Sequence, residues 1–255
     1  MRFRPCIDLH EGVVKQIVGG TLSDDGGELQ TRFTAERPPR WFAGLYRADG
    51  LRGGHVIQLG PGNEAAAREA LGAWPGGLQL GGGVTSDNAD GWLEAGASHV
   101  IVTSWVFHGG RVDKDRLRRL SEAVGPERLV LDLSCRRVGD DYFVVTDRWQ
   151  RFTDERISPR LLDRLSAYCC EFLIHAVDVE GRCSGIEAPL VALLGSWDGI
   201  PVTYAGGIRS MEDIESIRDL GSDRIDFTVG SALDIFGGTE LAYGSLAERF
   251  GPGQG

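Results

Sequence analysis

The chain has 255 residues, 42% of them hydrophobic and 25% charged, the proportions of an ordinary folded protein rather than a disordered or fibrous one. Its formal net charge of −10 opposes nucleic acid and anionic membrane as partners, but leaves room for a small anionic substrate bound by local backbone N–H groups. Five cysteines with no CxxC pair read as reduced thiols, no run approaches the ~20 apolar residues of a membrane span, and a cytoplasmic protein is expected.

Short apolar, β-branched runs recur along the chain: Arg4 to Leu9, His55 to Leu59, Leu78 to Leu80, Val100 to Thr103, Leu129 to Leu133, Phe172 to Val177, Val202 to Tyr204 and Ile225 to Val229. Each is too short for a helix and reads as a strand buried on both faces. Helical patterns fall between them, at Glu64 to Leu71, Lys114 to Ala123 and Pro159 to Tyr168. Ser210 and Asp213 form an S-x-x-D capping box before Ile214 and Ile217, and Pro159 follows Ser158 as at a helix start. Strands alternating with helices imply parallel βαβ units. Eight of them in about 255 residues predict one (β/α)8 barrel, an α/β fold, as a single domain over 1–255. An open doubly wound sheet is the alternative. Two long segments, 10–38 and 135–157, follow the first and fifth strands and so fall at the face where barrel enzymes keep their active sites.

The two halves echo one another. The same spacing of 124 residues separates Asp8 from Asp132 and Gly82 from Gly206, and Gly82-Gly83-Val84 matches Gly206-Gly207-Ile208. This predicts a duplicated half-barrel. Each half would offer one carboxylate and one glycine-rich anion loop, a site suited to an elongated ligand with a phosphate at each end.

Gly81-Gly82-Gly83 follows a strand, and glycine backbone can converge its N–H groups on a phosphate. Ala205-Gly206-Gly207-Ile208-Arg209-Ser210, followed by a capped helix, and Gly230-Ser231 after the eighth strand match the recurrent phosphate site of barrels. By symmetry Gly82, Gly83, Thr103 and Ser104 would hold the other phosphate, although Thr103 and Ser104 also suit strand-end capping. Asp8 and Asp132 stand at the mouth ends of apolar strands, where a carboxylate is costly unless bonded. They are the candidate acid–base pair. His175, with Asp178 and Glu180 after it, lacks a second histidine at ligand spacing, so a polar contact with substrate, or simple strand-end hydrogen bonding, is expected and a metal is not. Trp149 either stacks on a heterocycle or anchors its own loop. Lys15 either contacts a phosphate or is solvated.

Several longer strings resemble the phosphoribosylformimino-5-aminoimidazole carboxamide ribotide isomerases of histidine biosynthesis, in their eukaryotic-type branch. They are Cys6-Ile7-Asp8-Leu9-His10, Val14-Lys15-Gln16-Ile17-Val18-Gly19-Gly20, Val102-Thr103-Ser104-Trp105, Val130-Leu131-Asp132-Leu133-Ser134-Cys135-Arg136, Phe172-Leu173-Ile174-His175-Ala176, Tyr204-Ala205-Gly206-Gly207 and Leu233-Asp234-Ile235-Phe236-Gly237-Gly238. The resemblance covers nearly the whole chain and adds Gly19 and Gly20 to the candidate binding residues. It implies an Amadori rearrangement of an aminoaldose to an aminoketose, without a cofactor or an obligatory protein partner. Asp132 would be the acid that helps open the ribose ring, and Asp8 the base that moves the proton from C2.

The chain departs from the bacterial pattern of that family. Thr85 stands where an Arg is usual, His175-Ala176 replaces Thr-Asp, and Glu180-Gly181 replaces Asp-Gly. His175 is expected to take over substrate orientation from the Thr. The alternatives are the cyclase of imidazole-glycerol phosphate synthase, dual specificity that includes phosphoribosylanthranilate, and a non-catalytic phosphosugar-binding barrel. Lys15 is the only lysine before Lys114, against the lysine-rich first loop of the cyclases. Loops one and five are expected to close over a substrate.

Overall fold

Strands of three to five residues, apolar on both sides, pair side by side in parallel only if helices cover the outer face. The computed structural model describes residues 1–18 and 30–253 and arranges them in this way. Eight parallel strands run β1 Cys6–His10, β2 Gly54–Gln58, β3 Leu78–Gly81, β4 Val100–Val102, β5 Leu129–Asp132, β6 Glu171–His175, β7 Val202–Ala205 and β8 Ile225–Phe227. Each pairs with the next in chain order. The sheet closes through a parallel bridge between Phe3 and Phe227, with Arg4 N–H donating to the Phe227 carbonyl at 2.8 Å. The closed barrel is thus the one that the alternation implied, and the open sheet is excluded.

The helices α1 Pro39–Ala48, α2 Glu64–Ala73, α3 Ala89–Glu94, α4 Lys114–Val124, α5 Pro159–Ser166, α6 Ala188–Gly195, α7 Met211–Leu220 and α8 Tyr243–Phe250 surround it. Their buried residues fall at helical spacing, as with Leu117, Leu120 and Val124 in α4. The predicted caps form. Ser158 Oγ accepts from Leu161 N–H, and Ser210 Oγ accepts from Asp213 N–H.

The interior alternates with the strand period of two. Ile101, Val130, Leu173 and Ala205 form a small apolar layer in the lumen, with Ile57 against it. Below it lies a polar layer that the apolar reading of the strands did not anticipate. Glu171 accepts from Gln79 at 2.9 Å and from Thr203 at 2.7 Å, and Arg4 pairs with Asp226 at 2.8 Å, all buried. Burying these groups is tolerable because each is bonded. Above the apolar layer, two residues further along the same strands, come Asp132 and His175, with Asp8 on β1.

Two strands end two residues earlier than the sequence suggests. After β6, Val177–Val179 forms a 3-10 turn, and after β8 the chain leaves at Thr228, whose N–H still bonds the Tyr204 carbonyl. The two long insertions fold as arms above the barrel mouth. Val13–Ile17 and Thr31–Thr34 pair antiparallel beside β1, and Cys135–Val138, Asp141–Thr146 and Arg151–Arg156 make a three-stranded sheet.

Candidate active site

Carboxylates at the ends of apolar strands must find donors or hold protons. Asp8 receives Gln16 Nε2–H at 3.0 Å, from the first arm. Asp132 receives Thr103 Oγ1–H on one oxygen at 3.0 Å and Ser134 Oγ–H on the other at 2.8 Å. Both remain poor places for a charge. Burial, and then the Glu180 carboxylate, push Asp8 up to about 7, against the opposing pull of His175 and Gln16. Burial raises Asp132 as well, while His175, Ser134 and Thr103 hold it down.

His175 ends β6 beside both. Its Nε2 lies 2.9 Å from Glu180 Oε2, close enough for an ion pair. The ring is poorly aligned for a directed hydrogen bond to that oxygen, and the opposite charges hold the pair together. We therefore treat the contact as electrostatic attraction rather than a directed bond. Burial opposes the imidazolium, but Glu180, Asp132 and Asp8 outweigh it and raise His175 to about 9.

Trp149 joins these groups. Asp147, Arg148 and Trp149 all take positive φ (52°, 56° and 66°) at the tip of the second arm, a left-handed turn that side chains rarely adopt. Asp147 N–H donates to Ser104 Oγ at 2.9 Å, and Trp149 Nε1–H donates to Ser134 Oγ at 3.1 Å. Ser134 thus relays the tryptophan to Asp132. The indole also meets the His175 ring edge-on, with centroids 5.1 Å apart. The arm is fastened at its base by Asp178, which accepts from Arg136 Nε and from Arg137 N–H, each at 2.8 Å. Asp178 is therefore a brace for the arm, and of the two acids after His175 only Glu180 faces the cavity.

Two cavities meet at Asp132 and Trp149, which line both. The smaller, about 810 Å³ counted to its open mouth, is lined by Asp8, His175 and Glu180 together with Gly206, Gly207, Gly230 and Ser231. Ser231 Oγ is buried there with no protein partner among the described residues. The larger, about 2150 Å³ counted to its open mouth, is lined by Gly82, Gly83, Thr103, Ser104 and Trp105. The glycine pairs share one geometry. Gly82 and Gly206 take φ of 92° and 116°, and a Cβ on them would fall 2.2 Å from the Gln58 carbonyl and 2.6 Å from that of Ala176. Only glycine fits either turn.

The structure thus brings together Asp8, Asp132, Trp149, His175, Gly206, Gly207, Gly230 and Ser231, with Gly82, Gly83, Thr103 and Ser104 at the far end. Lys15 and Thr103, each with two readings in the sequence, have partners within the protein. Lys15 lines neither cavity. Its Nζ is taken by Glu11 at 2.6 Å and lies 3.2 Å from His10 Nδ1, because the strand alternation turns Gln16, not Lys15, toward Asp8. Thr103 spends its hydroxyl on Asp132 rather than offering it to an anion. Gly19 and Gly20 lie outside the described residues. Among the described residues no group of three His, Cys, Asp or Glu is placed to hold a metal.

Sequence reasoning missed Gln16 and Ser134, whose partners are set by register. It also missed Arg68. This α2 residue lines the larger cavity, its guanidinium 4.9 Å from the Trp92 ring, with no carboxylate partner among the described residues. An unpaired arginine in a chain of charge −10 cannot be recognised before the fold is known.

Residues 2–238 match the profile of the histidine biosynthesis protein family. A relative from Medicago truncatula is 55% identical over 249 residues, covering 95% of this chain and 80% of the relative. One from Neurospora crassa is 54% identical over 240 residues, 93% of each. One from Yarrowia lipolytica is 48% identical over 255 residues, 97% of each. All three are named 1-(5-phosphoribosyl)-5-((5-phosphoribosylamino)methylideneamino)imidazole-4-carboxamide isomerase, the first of them as chloroplastic.

Proposed function

The chain belongs to the histidine biosynthesis protein family, and on that premise we propose that it is the isomerase that performs the Amadori rearrangement of a phosphoribosylformimino aminoimidazole carboxamide ribotide. The observation that carries this reading is the two-ended cavity. Each cavity carries a glycine pair, Asp132 lines both, and Asp8 lines the smaller. A ligand with a phosphate at either end places its reacting sugar carbons near the aspartates.

In the proposed reaction Asp132 protonates the ring oxygen, the C1–O bond breaks, and the nitrogen lone pair forms an iminium at C1. Asp8 then removes the C2 proton and later returns it to C1. The C2 hydroxyl becomes the ketone, and its proton restores Asp132. Protons balance, and no cofactor enters. A base held near 7 is half ionised at neutral pH and strong enough to take a carbon-bound proton. In the empty site Asp8 holds its proton more firmly than an ordinary carboxylate, so the choice of Asp132 as the acid rests on the family resemblance rather than on electrostatics. Ser134 and Thr103 orient that acid.

No obligatory protein partner is required by this scheme. The five cysteines are all unpaired, which suits a reducing compartment, and we place the protein in the cytoplasm. The test is turnover of the bis-phosphorylated substrate by wild type, Asp8→Asn and Asp132→Asn. Turnover in wild type, lost in both variants while substrate still binds, supports the reaction and the pair. Absence of turnover in wild type refutes it.

A further inference from the structure

Every group in the reaction above acts on a carbon, the ring oxygen or a proton, and none yet supports the C2 oxygen while its hydroxyl becomes a carbonyl. That step gathers negative charge on oxygen in a cavity lined by three carboxylates, Asp8, Asp132 and Glu180. Among the described residues no Lys or Arg lines this smaller cavity. Its two imidazoles differ sharply. His55, on β2, is held neutral by burial, at about 3. His175 is fixed on two sides, its Nε2 by Glu180 Oε2 at 2.9 Å and its ring by the edge of Trp149, and the rest of the imidazole lines the cavity. An imidazole paired with a carboxylate through one nitrogen, with its open edge in a cavity lined by acceptors, is placed to meet an oxygen that arrives with the ligand.

We propose that His175, braced by Glu180, is a catalytic residue that donates a hydrogen bond to the oxygen on C2 of the sugar. The inference rests on the isomerase reading. As the C2–H bond breaks, its proton passes to Asp8, its electron pair forms the C1=C2 bond, and the C1=N pair returns to nitrogen. C1 then takes the proton from Asp8, the O–H pair of the C2 hydroxyl becomes the second C=O bond, and that proton goes to Asp132. His175 gives up no proton in the cycle. It holds the oxygen on which charge gathers, as a preorganised donor does in acyl-transfer sites. Glu180 keeps the imidazole charged and its ring in place. Asp132 from β5, Asp8 from β1 and neutral His55 from β2 are the other titratable groups that face it, with Cys6 beneath Asp8.

The test uses wild type, His175→Ala, His175→Gln and Glu180→Gln, with unfolding curves to confirm folding. His175→Ala is expected to lose about 10²-fold in kcat with KM within about threefold. The isotope effect with C2-deuterated substrate should rise, because C2–H cleavage becomes more limiting. His175→Gln, which keeps a neutral donor in the cavity, should restore part of the rate. Glu180→Gln should move the alkaline limb of the kcat profile to lower pH, since the imidazolium loses its nearest carboxylate. A merely structural role would move neither the isotope effect nor that limb. If wild type turns over and His175→Ala keeps kcat within about twofold, or loses it with the isotope effect unchanged, the proposal is overturned. If His175→Ala does not fold, an unmoved alkaline limb in Glu180→Gln overturns it instead. If wild type itself does not turn over, the isomerase reading fails first.

Discussion

Asp8 should cost the protein stability at neutral pH, and replacing it should show how much. Its carboxyl is raised from 3.8 to about 7, chiefly by burial and then by Glu180. Each unit of such a shift corresponds to about 1.4 kcal/mol, so the upper bound on the cost of holding it ionised is about 4 kcal/mol. Asp8 is only half-buried, and solvent screening of such a group reduces the cost to about 1–2 kcal/mol. The sign follows from the direction of the shift. The folded state binds this proton more tightly than the unfolded chain. The favourable contribution is therefore full below about pH 4, and it is lost as pH rises through about 7. Asp8→Asn keeps an acceptor for Gln16 but has no charge to bury. It should be more stable than wild type at pH 8, by about 2–8 °C in Tm, and indistinguishable from it at pH 4. Calorimetry of both proteins across that range reads the gap directly. A constant gap, or one that widens toward acid, refutes the electrostatic account of Asp8.

The link from loop five to Asp132 predicts coupling. Trp149→Phe and Ser134→Ala should each slow turnover, and a double-mutant cycle should show an interaction of about 0.5–1.5 kcal/mol rather than additivity. Gly206→Ala places a Cβ 2.6 Å from the Ala176 carbonyl at φ 116°, so it should lose more than about 1 kcal/mol in urea unfolding and raise KM by deforming the glycine-lined end of the cavity. Thr203→Val removes the 2.7 Å donor to Glu171 in the polar layer, at the closed end of the barrel. It should cost about 1–3 kcal/mol in unfolding while leaving kcat unchanged, and a loss of kcat in a folded variant would show that the two ends of the barrel are coupled.

The sequence by itself determined the barrel. Its information lies in short-range patterns: apolar runs too short for helices, capped helical stretches between them, and two glycine pairs at one spacing. Such signals survive without tertiary context because strand length, capping and positive φ are local properties. Asp8 and Asp132 were legible for the same reason, since a carboxylate that closes an apolar strand is conspicuous in one dimension. The tertiary structure decided what those residues touch. The register of the first arm turned Gln16 rather than Lys15 toward Asp8, and Thr103 spent its hydroxyl on Asp132. A left-handed turn brought Trp149 across to Ser134 and His175, and two residues of similar charge parted, Asp178 to brace an arm and Glu180 to face the cavity. These outcomes depend on distances between segments far apart in the chain and on which side of a strand each residue faces. A one-residue change of register reverses that side, and only closure of the barrel fixes it.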